Sequence, residues 1–313
     1  MGAPYLLVVA LAPAAERYLW LEALSPGGIM RATRTEVTPG GKGVHVALAA
    51  QALGARATVV GITGGLTAAA ITRGCAQAGL DHRWVPAATE TRWCTCLIDT
   101  ATSTMTEIDE PATGVRSADW QQLSAVVAET LATDRPGAVA LSGSFPATLG
   151  AEELAALVVL CADAGVPVLL DTSREALRAG LAAGATWVKV NEAEAREVLG
   201  EGPARPDPAS LCREMRRAGA RNAVVTLGAR GALACLEDGT RINVPATPVA
   251  RGFAVGSGDC FLAGLAVGLL EGRTPTDALL LASAAARLNT ASPLVAQFQR
   301  ADVDAEQARA RPR

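Results

Sequence analysis

Residues 253–270 read FAVGSGDCFLAGLAVGLL. Gly256, Ser257 and Gly258 form a tight turn of small residues, Asp259 follows, and a helical apolar pattern starts at about Cys260. A helix N-terminus presents unpaired backbone N–H groups and the positive end of the helix dipole. Glycines let an anion approach that backbone closely. A carboxylate beside such a hole suits removal of a proton from a hydroxyl while the hole stabilises a transferring phosphoryl group. The same residues also read as an aspartate cap on a glycine-rich turn.

Outward from this helix the chain alternates two patterns. Short Val- and Leu-rich runs at 5–11, 57–61, 138–141, 166–170, 187–190 and 223–227 suit strands buried on both faces. Helical spacing marks 44–53, 68–78, 120–131, 152–164, 192–199, 209–218 and 260–270. This alternation predicts βαβ units and a mostly parallel, doubly wound α/β sheet. Two segments break the rhythm. Residues 12–38 and 89–110 alternate polar with apolar side chains and predict half-exposed antiparallel strands, a small sheet added to the α/β body. No repeat divides the chain, so 1–313 reads as one domain carrying that insertion. EGPARPDP (201–208) reads as a surface loop, and the charged tail from Ala305 is expected to fray.

Composition narrows the function classes. Half of the 313 residues are hydrophobic and 19% are charged, which supports a sizeable core. A net charge of −3 argues against nucleic acid held on a broad basic surface. The longest apolar run, 261–270, is too short to span a bilayer, so no membrane partner is expected. No basic residue precedes Arg17, so a secretory signal is not expected. Seven scattered cysteines without a CxxC pair read as buried thiols of a cytoplasmic protein. Only two of the 28 basic residues are lysines, Lys42 and Lys189, and each falls inside a motif.

PGGKGVHVALAAQAL (39–53) is a glycine loop with a cation, feeding a helix. It suits a substrate phosphate or sugar hydroxyls. It is neither a Walker A loop nor a dinucleotide fingerprint. His45 on the first helical turn either faces a ligand or is structural; His82, in DHRW, reads as a loop residue. In WVKVNEAEAREVL (187–199), Asn191 and Glu194 share one side of a helix start. They suit Mg²⁺ or its water shell, or equally a capping box. VVTLGARG (224–231) ends a strand in Thr226 and two glycines, fit for a nucleotide or a plain turn.

In this order the motifs resemble the ribokinase-like PfkB family of carbohydrate kinases over nearly the whole chain. TEIDEP (106–111), LSGSFP (141–146) and DTSREAL (171–177) are similar to its branch containing 1-phosphofructokinase and tagatose-6-phosphate kinase. The resemblance implies a three-layer α/β/α body with a β-sheet lid, and phosphoryl transfer from ATP to an acceptor hydroxyl. Asp259 would be the general base, with Gly256, Ser257 and Gly258 as the anion hole. Gly40, Gly41, Lys42, Arg92 and Ser142 would meet the acceptor, Arg92 as a phosphate ligand. Lys189, Asn191, Thr226, Gly228, Gly231 and Asn289 would serve the nucleotide, and Asn191 with Glu194 would hold Mg²⁺ through water. Pairing of lids would give a homodimer.

Two departures stand out. His45 replaces the family's usual Asn, and Glu16 replaces an Asp in the opening Asn-Pro-Ala-x-Asp pattern, here APAAE. The family's side chains there bond sugar hydroxyls, so an acceptor pocket altered through Glu16 and His45 is expected. The alternatives are a kinase of an unphosphorylated sugar or nucleoside, which Lys42 and Arg92 disfavour, and a non-catalytic ligand sensor, which Asp259 disfavours.

Overall fold

The computed structural model describes residues 5–200, 207–247, 249 and 252–310. The apolar runs form the centre of a nine-stranded sheet: β1 (Tyr5–Ala10), β4 (Arg56–Gly64), β8 (Ala138–Ser142), β9 (Val168–Asp171), β10 (Trp187–Asn191) and β11 (Asn222–Thr226). β5 (Asp81–Ala87) adds to one edge; β12 (Ala232–Cys235) and β13 (Arg241–Val244) add to the other. The order is β13-β12-β11-β10-β9-β8-β1-β4-β5. Pairing is parallel from β5 to β11, and only the β12–β13 edge is antiparallel.

Burial on both faces explains the continuous apolar runs. Leu6, Val8 and Ala10 join one core with α1 (Lys42–Ala52), α2 (Gly65–Gln77), α8 (Ser257–Leu270), α9 (Pro275–Asn289) and α10 (Arg300–Ala310). Leu7 and Val9 join the opposite core with α3 (Ser117–Thr133), α4 (Ala151–Asp163), α5 (Arg174–Ala182), α6 (Glu192–Leu199) and α7 (Pro208–Arg217). The predicted three-layer α/β body is therefore present.

The two rhythm-breaking segments form the second sheet, in the order β3-β2-β6-β7: β2 (Ala14–Leu21), β3 (Arg34–Gly40), β6 (Trp93–Asp99) and β7 (Thr104–Asp109). Its period of two is visible in the register. Tyr18 pairs with Glu36 and Cys96, and Cys96 with Glu107, on the face turned toward the body. Arg17 pairs with Val37 and Thr95, and Thr95 with Ile108, on the other face.

Three expectations need correction. The second sheet is not wholly antiparallel, because β2 and β6 run parallel. They follow β1 and β5, which lie in the parallel part of the large sheet, so both leave it at the same end and in the same direction. Alternation reports the faces of a strand, never its direction. His82 lies on β5, not in a loop. The tail through Ala310 is helical, because Val303 is fully buried and Arg300 donates to Leu53 O (2.8 Å) and pairs with Glu271 (2.7 Å). Helices α5 and α9 and the β12–β13 hairpin lay outside the pattern reading. The loop read at 201–208 falls mainly outside the described residues.

Candidate active site

The turn before α8 is fixed from below. Gly256 takes φ +76°, and a Cβ there would meet Val295 Cγ2 at 2.5 Å, so both conformation and space require glycine. Asn289 Nδ2 donates to Val255 O (2.8 Å) and Ser257 Oγ (3.2 Å), while Oδ1 accepts from Ala296 N (3.0 Å). A Cβ on Gly258 would stand 3.1 Å from Lys189 Nζ, so the bare glycine lets a buried ammonium approach the helix N-terminus.

This turn opens into a cavity of about 630 Å³ bounded by β10, β11, α8, α9 and the second sheet. Asp259, Gly256, Ser257, Gly258, Glu16, Gly41, Lys42, His45, Arg92, Lys189, Asn191, Glu194, Thr226, Gly228 and Gly231 all line it. Three residues expected at the site do not line it. Ser142 is fully buried at the end of β8. Gly40 packs on Glu16, where a Cβ would fall 2.2 Å from its carboxyl carbon. Asn289, 1% exposed, lies under the turn and acts on it through the bonds above.

Asp259 is buried and tied to the two departures. Its Oδ2 lies 3.0 Å from His45 Nδ1 in a hydrogen bond. His45 Nε2 lies 2.8 Å from Glu16 Oε1, an ion-pair contact whose N–H direction is off hydrogen-bond alignment. Glu16 accepts in addition from Tyr18 Oη (2.7 Å, on Oε2) and from Gly41 N (3.1 Å, on Oε1). Burial alone would discharge His45. The Glu16 carboxylate and the bond to Asp259 overcome it and push the imidazole up to about 10. Burial likewise works against Glu16, but His45, Tyr18 and the Gly41 N–H hold it below the ordinary range. Burial first, and then Glu16, raise the Tyr18 phenol far above its usual value.

Both lysines converge on one carboxylate that the sequence reading did not single out. Asp171, fully buried at the end of β9, pairs with Lys189 (2.5 Å) and Lys42 (3.7 Å). Lys42 also faces Glu194 at 3.5 Å. Asp171 first, and then Glu194, raise the Lys42 ammonium, so it is cationic at any physiological pH. Asn191 and Glu194 form the capping box: Glu194 N donates to Asn191 Oδ1 (2.9 Å), and Asn191 N to Glu194 Oε2 (2.8 Å). Both still border the cavity. Hard oxygen donors with few protein ligands suit Mg²⁺ that keeps most of its water; the Asp171 carboxylate is already met by Lys189 and Lys42. The donor set therefore fits the ion.

Arg92 is less free than expected. Its guanidinium donates to Glu110 O (3.2 Å) and Ala12 O (3.3 Å) and stands 3.8 Å from Asp109. Glu107 and Asp109 bring two carboxylates to the same wall. Desolvation, then Asp109 and Glu16, push Glu107 up to about 7. At the far end Thr226 Oγ1 donates to Val190 O (3.2 Å), and α9 presents Ser283, Ala286 and Arg287, with Thr290 just past its end. Besides Asp171, sequence reasoning missed Tyr18, Glu107, Asp109 and Arg287. Tyr18 had a signal, being two residues from Glu16 on one strand face.

A doubly wound sheet whose helix N-terminus, buried carboxylate and paired lysines meet beneath a second sheet defines a ribokinase-like carbohydrate kinase. The family model "pfkB family carbohydrate kinase" matches residues 6–299, and the chain belongs to that family. It is 31% identical over 273 residues to a 1-phosphofructokinase of Xanthomonas campestris pv. campestris, covering 86% of this chain and 85% of the relative. It is 28% identical over 293 residues to the ATP-dependent 6-phosphofructokinase isozyme 2 of Escherichia coli, covering 91% and 93%. The crystal structure of Escherichia coli phosphofructokinase-2 in complex with fructose-6-phosphate superposes with a TM-score of 0.87 at 26% identity, covering 99% of both chains.

Proposed function

We propose that this enzyme transfers the γ-phosphoryl group of ATP to a hydroxyl of a sugar phosphate, with Asp259 as general base. The observation that carries this is a buried carboxylate placed on the first turn of α8 directly after the Gly256-Ser257-Gly258 turn. Asp259 takes the proton of the acceptor hydroxyl. That oxygen then forms its bond to the γ-phosphorus as the bond to ADP breaks. The N–H groups opening α8 and the ammonium of Lys189 stabilise the charge spread over the transferring oxygens. Thr226, Gly228 and Gly231 line the nucleotide end. Glu194 and Asn191 would hold hydrated Mg²⁺, which supplies charge neutralisation on the phosphates. Lys42 and Arg92 face the acceptor, and closing the second sheet over it excludes water. We place the enzyme in the cytoplasm, where seven free, buried thiols remain reduced. Pairing through the outer face of the second sheet is supported by exposed Val37 (46%) and Ile108 (55%), which lie on one row.

The reading is tested by acceptor-dependent ADP release with Mg·ATP on fructose 6-phosphate, fructose 1-phosphate, tagatose 6-phosphate, free sugars and nucleosides. Turnover on a sugar phosphate is expected. A second reading, a kinase of an unphosphorylated sugar, is favoured by one observation: the Arg92 guanidinium is engaged by Asp109 and two carbonyls. Turnover confined to free sugars would establish it.

A further inference from the structure

His45 and Glu16 stand where the family resemblance expects two direct sugar contacts, yet their polar atoms are already engaged. His45 contacts Asp259 through Nδ1 (3.0 Å) and Glu16 through Nε2 (2.8 Å), leaving no ring nitrogen for a substrate. Glu16 holds His45, Tyr18 and the Gly41 N–H. Both residues are nearly sealed, at 4% and 1% exposure. Asp259 Oδ1, in contrast, has no hydrogen bond and is not sealed from the cavity.

We propose that His45, seated on Glu16, is a positioning residue for the base: it clamps Asp259 Oδ2 from beneath and leaves Oδ1 as the oxygen that meets the acceptor. The proposal rests on the kinase reading for its kinetic consequence, though not for its geometry. A carboxylate held through one oxygen keeps a single rotamer, and a base held in place raises the chemical step rather than substrate binding. The imidazole works as a cation. A buried neutral ring would set one bare ring nitrogen against a carboxylate oxygen, which is costly. The groups facing it are Glu16 and Tyr18 on β2, Asp259 on α8, Lys42 on its own helix and Glu107 on β7, with Arg92 just before β6 and Cys94 on β6 in the wall beyond. Two carboxylates in contact favour the protonated ring, and burial opposes it. Recognition of the acceptor's hydroxyls then passes from residues 16 and 45 to other groups on the cavity wall.

The test has an arm that needs no acceptor. The chain has only two histidines, so ¹⁵N NMR of the imidazoles, assigned with His82→Gln, follows His45 directly. We expect a doubly protonated ring at neutral pH that loses its proton near pH 10, and at lower pH in Glu16→Gln. A singly protonated ring at neutral pH in the wild type would overturn the proposal. In the kinetic arm, with fructose 6-phosphate and Mg·ATP, His45→Ala should lower kcat by about 100-fold with KM within about threefold. His45→Asn, which keeps a neutral donor toward Asp259, should recover about a tenth or more of the lost rate. The alkaline limb of kcat should move to lower pH in Glu16→Gln. A raised KM with kcat intact in His45→Asn would make residue 45 a sugar contact and overturn the proposal. Wild-type protein inert toward fructose 6-phosphate contradicts that acceptor and leaves the NMR arm decisive. A poorly folded His45→Ala leaves His45→Asn and Glu16→Gln to decide.

Discussion

A carboxylate at the mouth of a helix is useful as a base only while it stays ionised and aimed. Asp259 is held by a side chain 214 positions away in sequence, His45, which bonds its Oδ2. Asp259→Asn keeps the shape and removes the proton acceptor, so kcat should fall by about 10²–10⁴-fold while ATP still binds, as read by steady-state turnover and calorimetry. The His45 charge also contributes to folding. Its folded value, about 10, lies above its ordinary 6.5. Protonation therefore stabilises the fold fully below about pH 6.5, and that contribution is lost as pH rises through about 10. The urea midpoint of the wild type should decline across this window, and that of His45→Asn should decline less; parallel curves would contradict the assignment. In the sequence, residues 16 and 45 were legible as departures from a pattern. Their contact was not, because no spacing rule joins a strand residue to a helix residue across a loop and a hairpin.

Among the elements, the start of α8 carries the most information per residue. The sequence GSGD announced a glycine turn and a carboxylate, and the structure shows why each glycine is needed. Gly256→Ala should lower both turnover and stability, since a side chain there meets a left-handed φ and Val295 Cγ2 at 2.5 Å. Activity assays paired with thermal melts check this. The lysines taught the opposite lesson. Their motifs were visible, but the partner they share, Asp171, sat in a stretch read only for resemblance. Lys189→Met strips the close partner from a fully buried carboxylate, and loss of about 3–5 kcal/mol is expected in urea titrations. Leucine in place of Asp171 in the same chain should restore part of that loss. Strands β12 and β13, four residues each, escaped the pattern reading, with no Val- and Leu-rich run such as the one that marks β9. A period of two is barely expressed over that length.

For the whole molecule, strand-by-helix alternation was enough to place the large sheet and its two cores. It also marked the two segments that form the second sheet. The direction of β2 against β6 was not legible, because it follows from where the parent strands end. The outer face of that sheet leaves Val37 and Ile108 exposed on a common row with Arg17 and Thr95 between them. Ile108→Glu should shift a dimer toward monomer in analytical ultracentrifugation. An unchanged sedimentation coefficient would place any self-association elsewhere.

The role of Asp259 is tested by transfer of labelled γ-phosphate from Mg·ATP to fructose 6-phosphate, followed in a single turnover for wild type and Asp259→Asn side by side. Labelled sugar bisphosphate from the wild type, with the variant slowed by about 10²-fold or more yet still binding ATP, is the predicted result. Equal transfer rates in the two proteins would contradict Asp259 as the base.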